Sequence, residues 1–327
     1  MTSVQLAQAS NAAIYATMMT LAVAMVAFAV SFASGRRRPR AVAAASVVQV
    51  EAAVGSTAVL TRTAASAPAP VEPGRRSANV GMALTWLAFG LLLVGVVLRG
   101  VWAGRVPWGN MYEFSITAAL AVLGVFLGIS TRRDVRWMGI FVVIAVELTL
   151  GLAVTVLYTE AAQLVPALKS WWLVIHVSAA VICSGAFTIA AASAGLSLLR
   201  VRAERRAAAA GPNVEVTGWL ARVPSSQRLE MLTQRIIAFT FPLWTFAVVA
   251  GAIWAENAWG RYWGWDPKET WAFITWVVFA AYLHARSTAG WRGTRASLIV
   301  LGGWLAFMIN YFGVNMFASS LHSYSGL

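Results

Sequence analysis

The chain has a single cysteine, Cys183, in 327 residues. That excludes a disulfide framework, a CxxC redox pair and a thiolate zinc cluster. Charge is scarce as well: Asp, Glu, Lys and Arg make up 11% of the residues, against roughly 25% in a soluble domain, so water is not the main solvent of this protein. Acidic residues are fewer than basic ones, 12 against 25, and three histidines leave few metal ligands to choose from. No basic region precedes the first apolar run, which is also too long for a cleaved leader, so no signal peptide is expected. What is abundant is apolar. Hydrophobic residues reach 59%, mean hydropathy is +0.70, and there are 16 tryptophans, more than routine anchoring at a membrane surface accounts for.

Eight segments are long and apolar enough to cross a bilayer as helices: 12–34, 80–99, 113–130, 137–157, 172–199, 236–254, 271–286 and 296–317. The seventh is short and is expected to extend into its flanks. The fold class is therefore all-α, a polytopic membrane protein of about eight spans.

Basic residues set its orientation. With alternating spans, 20 of the 25 fall on one side, from Arg36 to Arg76, Arg132 to Arg136, Arg200 to Arg235 and Arg286 to Arg295. Arg99, Arg105, Lys169, Arg261 and Lys268 fall on the other. The arginine-rich side is assigned to the cytoplasm, which puts both termini outside. The net charge of +13 is thus a topology signal, and nucleic acid is not an expected partner. Residues 35–79, rich in Ala, Ser, Val, Pro and Arg, read as a flexible cytoplasmic linker. The first helix and this linker (1–79) precede a membrane domain over 80–327.

The unusual segment is the outward connection over 254–271. Five tryptophans (254, 259, 263, 265 and 271) stand in eighteen residues, among Gly260, Gly264 and Pro267 and charges of both signs. An interfacial aromatic belt needs one or two Trp per helix end and has no use for glycines between them. A row of indoles that a ligand approaches closely over glycine makes a flat apolar platform suited to a macrocycle or a quinone. Arg261 and Lys268 are placed to face carboxylates at its edge. Asp266, Lys268 and Glu269 are candidate acid–base groups, but salt-bridging and N-capping of the seventh helix explain Asp266 and Glu269 as well.

The histidines lie at informative depths. His176 is roughly 7 Å inside the outer end of its helix at about 1.5 Å per residue, His322 lies just beyond the last span, and His284 is near the inner end of the seventh. Histidine ligates haem iron, and a pair of them holds haem without opening a site for oxygen. The plainer role of a membrane histidine is a structural hydrogen bond to a carbonyl. Glu147, alone in the fourth span, is a candidate proton-relay member. Cys183 is most simply a packing residue.

The stretch Trp259-Gly260, Tyr262-Trp263, Trp265-Asp266-Pro267-Lys268-Glu269-Thr270-Trp271 closely resembles the tryptophan-rich WWD signature of cytochrome c biogenesis proteins. Pro107-Trp108-Gly109-Asn110-Met111-Tyr112-Glu113 resembles a second segment of the same family, and the resemblance runs from about residue 80 to 327. The variant is CcsA/ResC (CcsB in some actinobacterial naming), the haem-handling subunit of the two-component, thioether-forming cytochrome c synthase. The related exporter subunits of the multi-component system also carry a WWD loop, but eight helices in 327 residues fit the two-component route better. The resemblance implies haem b as bound substrate and the loop on the outer face of a bacterial plasma membrane. It implies iron ligation by His176 and His322, and a second membrane-embedded haem site at His284. Trp259, Trp263, Trp265, Asp266, Arg261 and Lys268 are then the haem-binding residues of the loop, with no catalytic acid–base pair. The implied partners are a ResB/CcsB-like membrane subunit, apocytochrome c and a thiol reductant protein. A transporter, or a quinone- or haem-linked membrane subunit, is the alternative from another class.

Overall fold

The computed structural model describes residues 2–34, 74–161 and 169–322. Most of the linker expected over 35–79 lies outside the described residues, which contain helices and no strand. The helices are α1 (Ser3–Ser34), α2 (Arg75–Ala103), α3 (Met111–Ser130), α4 (Gly139–Thr155), α5 (Trp171–Ala210), α6 (Ser226–Trp259), α7 (Pro267–Ser287) and α8 (Thr294–Met308). A π-helical turn (Ile309–Gly313) carries α8 into a last short helix, α9 (Val314–Phe317). All eight expected spans are present as helices. Seven are long and apolar enough to cross a membrane, counting α8, the π turn and α9 as one. The helix outside that set, α7, carries Lys268 and Glu269 at one end and His284 and Arg286 at the other.

Several helices outrun the apolar segments that announced them. α2 begins at Arg75, inside the expected linker. α5 continues through the Arg/Ala run to Ala210, because Ala, Arg and Glu are strong helix formers whether or not lipid surrounds them. Gly211 then ends it, and after a 3-10 turn at Gly218–Arg222 the next α-helix begins at Ser226.

Packing is by close approach at small residues, as expected where no hydrophobic force drives helices together. A Cβ at Gly139 of α4 would lie 2.3 Å from the Phe28 ring of α1, and one at Gly81 of α2 would lie 2.9 Å from it. Phe28 is fully buried between them, so α1 shares the core of α2 and α4. On α5, a Cβ at Gly185 would meet the Ala121 backbone of α3 at 2.8 Å. At the core of the other half, Phe187 of α5 stacks on Phe279 of α7 at 4.2 Å. Arg286 of α7 pairs with Glu230 of α6, whose second oxygen takes the Gly293 N–H ahead of α8 at 3.0 Å. These contacts leave the first turns of α3, α5 and α7 beside the last turns of α6 and α9, around one cavity.

Candidate functional site

His176 and His322 line that cavity together. Ser170 starts α5 by accepting the Trp172 N–H at 3.2 Å, which places His176 in the second turn. Its Nδ1 lies 2.7 Å from the Ala247 carbonyl oxygen of α6. A carbonyl only accepts, so Nδ1 carries the proton and Nε2 keeps its lone pair. Gly251 makes the contact possible: a Cβ there would stand 2.7 Å from the imidazole. The ring lies nearly parallel to Trp254, 6.3 Å away at 11°.

His322 is held in the same manner by a different acceptor. Asp266 opens α7 as one half of a capping box with Glu269. One oxygen accepts the Lys268 N–H and meets His322 Nδ1, each at 3.0 Å, and the other accepts the Leu321 N–H at 2.9 Å. Burial alone would raise the Asp266 carboxyl, but the bonds from His322, Leu321 and Lys268 outweigh it and hold the pKa down at about 2. Asp266 is therefore an acceptor at neutral pH, so Nδ1 is the donor nitrogen of His322 and Nε2 is left out of this bond. Its ring stands on edge against Trp259 at 4.7 Å and Trp254 at 5.4 Å.

The tryptophans do not form the flat row expected of them. Trp263 lines the cavity, while Trp265 is exposed, in a left-handed conformation at φ 56°, and perpendicular to Trp263 at 5.8 Å. Both pack on Phe273, and Trp259 backs His322. Lys268 lines the cavity. Arg261 instead pairs with Glu269 at 3.1 Å and covers the Trp259 ring at 5.8 Å. Its guanidinium occupies the space a Cβ at Gly264 would need, 2.0 Å away, so that glycine serves the arginine rather than a ligand. His284 is exposed near the far end of α7 and is not brought to this cavity, nor is Glu147, half-buried on α4.

Two features lay outside the sequence reading. Trp254, counted there only as the first tryptophan of the loop, sits within α6 and contacts both histidines. The other is a buried ion cluster behind the cavity wall. Asn110 caps α3, accepting the Glu113 N–H at 2.8 Å. The Glu113 carboxylate takes the Gly109 N–H at 2.8 Å, Arg99 at 3.1 Å and Arg105 at 2.6 Å. This anchors Trp108 and Gly109, which line the cavity. An arginine in an apolar run, as at Arg99, is the signal that reveals such a cluster. Among the described residues no group of three or more His, Cys, Asp and Glu is placed to hold a bare metal ion. Two imidazoles anchored through Nδ1 beside an aromatic cavity instead suit a ligand that brings its own metal and an apolar body.

The family model for "Cytochrome C assembly protein" matches residues 108–322, from the tryptophan of the cavity wall to the second histidine. Among curated proteins, the chain is 36% identical to cytochrome c biogenesis protein CcsA of Guillardia theta over 263 residues, covering 76% of this chain and 86% of that protein. It is 32% identical to CcsA of Microcystis aeruginosa (75% and 87%) and 34% identical to CcsA of Hordeum vulgare (76% and 86%). Among solved structures it resembles cytochrome c haem lyase CcmF with a TM-score of 0.59 at 15% identity, over 95% of this chain and 47% of that one. The chain spans about half the length of that protein, and the likeness is one of fold.

Proposed function

Because this chain belongs to the cytochrome c assembly family, as a CcsA-type multi-pass membrane protein with a role in cytochrome c maturation, we propose that its cavity receives haem b as substrate and presents it for attachment to apocytochrome c. The observation that carries this reading is the histidine pair: each Nδ1 is tied to a fixed acceptor, and both rings line one cavity. Their Nε2 atoms ligate the iron from two sides, leaving no position open to oxygen. Trp263 covers part of the macrocycle. Lys268 faces one of its carboxylates, Asp266 positions His322, and Arg261 and Trp259 brace the loop that carries both. Trp265, being exposed, meets the incoming apocytochrome or the partner.

The apocytochrome presents a CxxCH segment, and its histidine replaces one of the two protein histidines on the iron. Each thiol then adds across a haem vinyl group. Sulfur bonds to the carbon next to the ring, and the thiol proton goes to the terminal carbon. The addition needs free thiols, which a thiol reductant protein maintains. This chain contributes position and exclusion of water. His284, facing outward at the far end, forms a second haem site shared with a ResB/CcsB-like subunit. The setting is a bacterial plasma membrane with the Trp-rich loop on its outer face.

The test is a visible absorption spectrum of the detergent-purified chain, co-expressed with its partner, in wild-type and His322→Ala forms. A Soret band with sharp reduced α and β bands, lost or shifted in the variant, is expected. Folded protein without haem in either form refutes the reading.

A further inference from the structure

Two buried polar atoms at the inner part of the cavity have no hydrogen-bond partner among the described residues. Trp244 of α6 is 4% exposed, and its Nε1–H, which only donates, finds no acceptor. Asn310 is 7% exposed, and its Oδ1 accepts nothing. Both residues line the cavity that holds the histidines. Phe307 links them: its ring meets Trp244 edge-on at 5.5 Å, and it stands three residues before Asn310, on the same face of the helix. Trp244 lies three residues inward of Ala247, the carbonyl that holds His176, or about 4.5 Å along the axis.

An unmade hydrogen bond in apolar surroundings costs more than a made one returns. Native structures leave few such atoms unpaired, and two of them facing one apolar cavity call for a reason. The backbone adds a second sign. Asn310 sits in the π turn, a distortion that re-aims side chains and concentrates at functional sites. Tyr311 beside it is fully engaged, with its hydroxyl 2.6 Å from Ser115 Oγ and 3.0 Å from the Met111 carbonyl oxygen. The turn therefore finds partners for one polar side chain and holds the other toward the cavity. Phe114, Ala180 and Val248, which also line it, are apolar.

We propose that Trp244 and Asn310 form a subsite for an un-ionised carboxylic acid on an apolar ligand. The acid carbonyl accepts from Trp244 Nε1–H, and the acid O–H donates to Asn310 Oδ1. Among the described residues that line the cavity, Lys268 is the one lysine or arginine, so a second carboxyl has no counter-charge there and enters neutral. This inference rests on the haem reading for its ligand. The two carboxyl groups of haem stand side by side on one edge. Lys268 takes one as carboxylate, the Trp244–Asn310 pair takes its neighbour as acid, and the vinyl edge is left toward the mouth. A fatty acid from the bilayer offers the same chemistry.

The test titrates the full-length chain in detergent with iron protoporphyrin and with its dimethyl ester, comparing wild type, Asn310→Leu and Trp244→Phe. The ester keeps its carbonyl but has no O–H. The expected result in Asn310→Leu is a five- to tenfold loss of affinity for the free acid, roughly one hydrogen bond, with ester affinity unchanged. Trp244→Phe weakens both porphyrins alike. Free-acid affinity unchanged in Asn310→Leu overturns the subsite. If folded wild type binds neither porphyrin, the haem reading fails, and oleic acid against methyl oleate then tests the subsite by itself. A preference for the acid that Asn310→Leu abolishes retains it as a fatty-acid site, and equal affinities overturn it.

Discussion

Asp266 and His322, 56 residues apart, are joined by a 3.0 Å bond from the imidazole Nδ1 to a carboxylate that also caps α7. One side chain thus starts a helix, ties Leu321 and His322 after α9 to it, and sets which nitrogen of the histidine donates to it.

Replacing Asp266 with Asn separates those roles. Asn caps a helix about as well as Asp, but its amide also donates, so the Nδ1 donor state of His322 is no longer enforced. We expect a folded protein whose haem affinity falls about 10- to 100-fold, as for other outer-shell partners of a ligating histidine. The ratio of haem to protein after purification measures it.

The same carboxylate predicts an acid limit. Its pKa is lowered from 3.8 to about 2 in the folded chain, so its contribution to stability is complete above about pH 4 and is lost as pH falls toward 2. The melting temperature of wild type should exceed that of Asp266→Asn at about pH 4 and above. Below that the margin should close. A margin that does not shrink as pH falls from about 4 to about 2 refutes the assignment.

Gly251→Ala tests the seat of His176. The new Cβ would stand 2.7 Å from the ring, so the imidazole must leave Ala247. Within a helix the change itself favours folding by up to about 1 kcal/mol. We expect loss of the bis-histidine α band with little change in melting temperature, which a merely destabilising substitution does not produce.

Glu113→Gln leaves Arg99 and Arg105 facing each other without their shared carboxylate, at a site where Arg99 is fully buried. Breaking a buried pair from one side costs about 3–5 kcal/mol. We expect the variant to accumulate poorly and to melt well below wild type. Adding Arg99→Met to Glu113→Gln should recover part of the loss.

His284→Ala should leave the spectrum of haem added to the purified chain unchanged, because His284 is exposed at the far end of α7 and does not line the cavity. Haem acquired during co-expression with the partner should fall. A changed spectrum in the first measurement counts against two separate sites.

All eight long helices were legible as apolar runs, although only seven are long and apolar enough to cross a membrane, and their ends were not legible. Hydropathy marks where lipid surrounds a helix, whereas the helix stops where its backbone finds a cap. So α1 starts at Ser3 rather than near 12, and α5 persists to Ala210. The histidines were legible from depth along their helices, which a rise of about 1.5 Å per residue converts directly into position. The contact of Trp254 with both of them was not, because spacing along the chain does not say which way an indole at a helix end turns. The flat indole platform failed because side-chain planes follow local backbone, and the left-handed turn at Trp265 swings its ring perpendicular to Trp263.

From sequence alone follow a helical membrane protein, the family it belongs to, and the end of the bundle where aromatic and histidine residues collect. These depend on composition, periodicity and motif, all of them local along the chain. Tertiary structure decided which nitrogen each histidine offers, that Asp266 serves His322 rather than the cavity, and that Arg261 is spent on Glu269 while Lys268 reaches the site. A proton on an imidazole goes to the nitrogen that faces an acceptor. For His176 that acceptor is a carbonyl 71 residues away, reached only because Gly251 has no side chain.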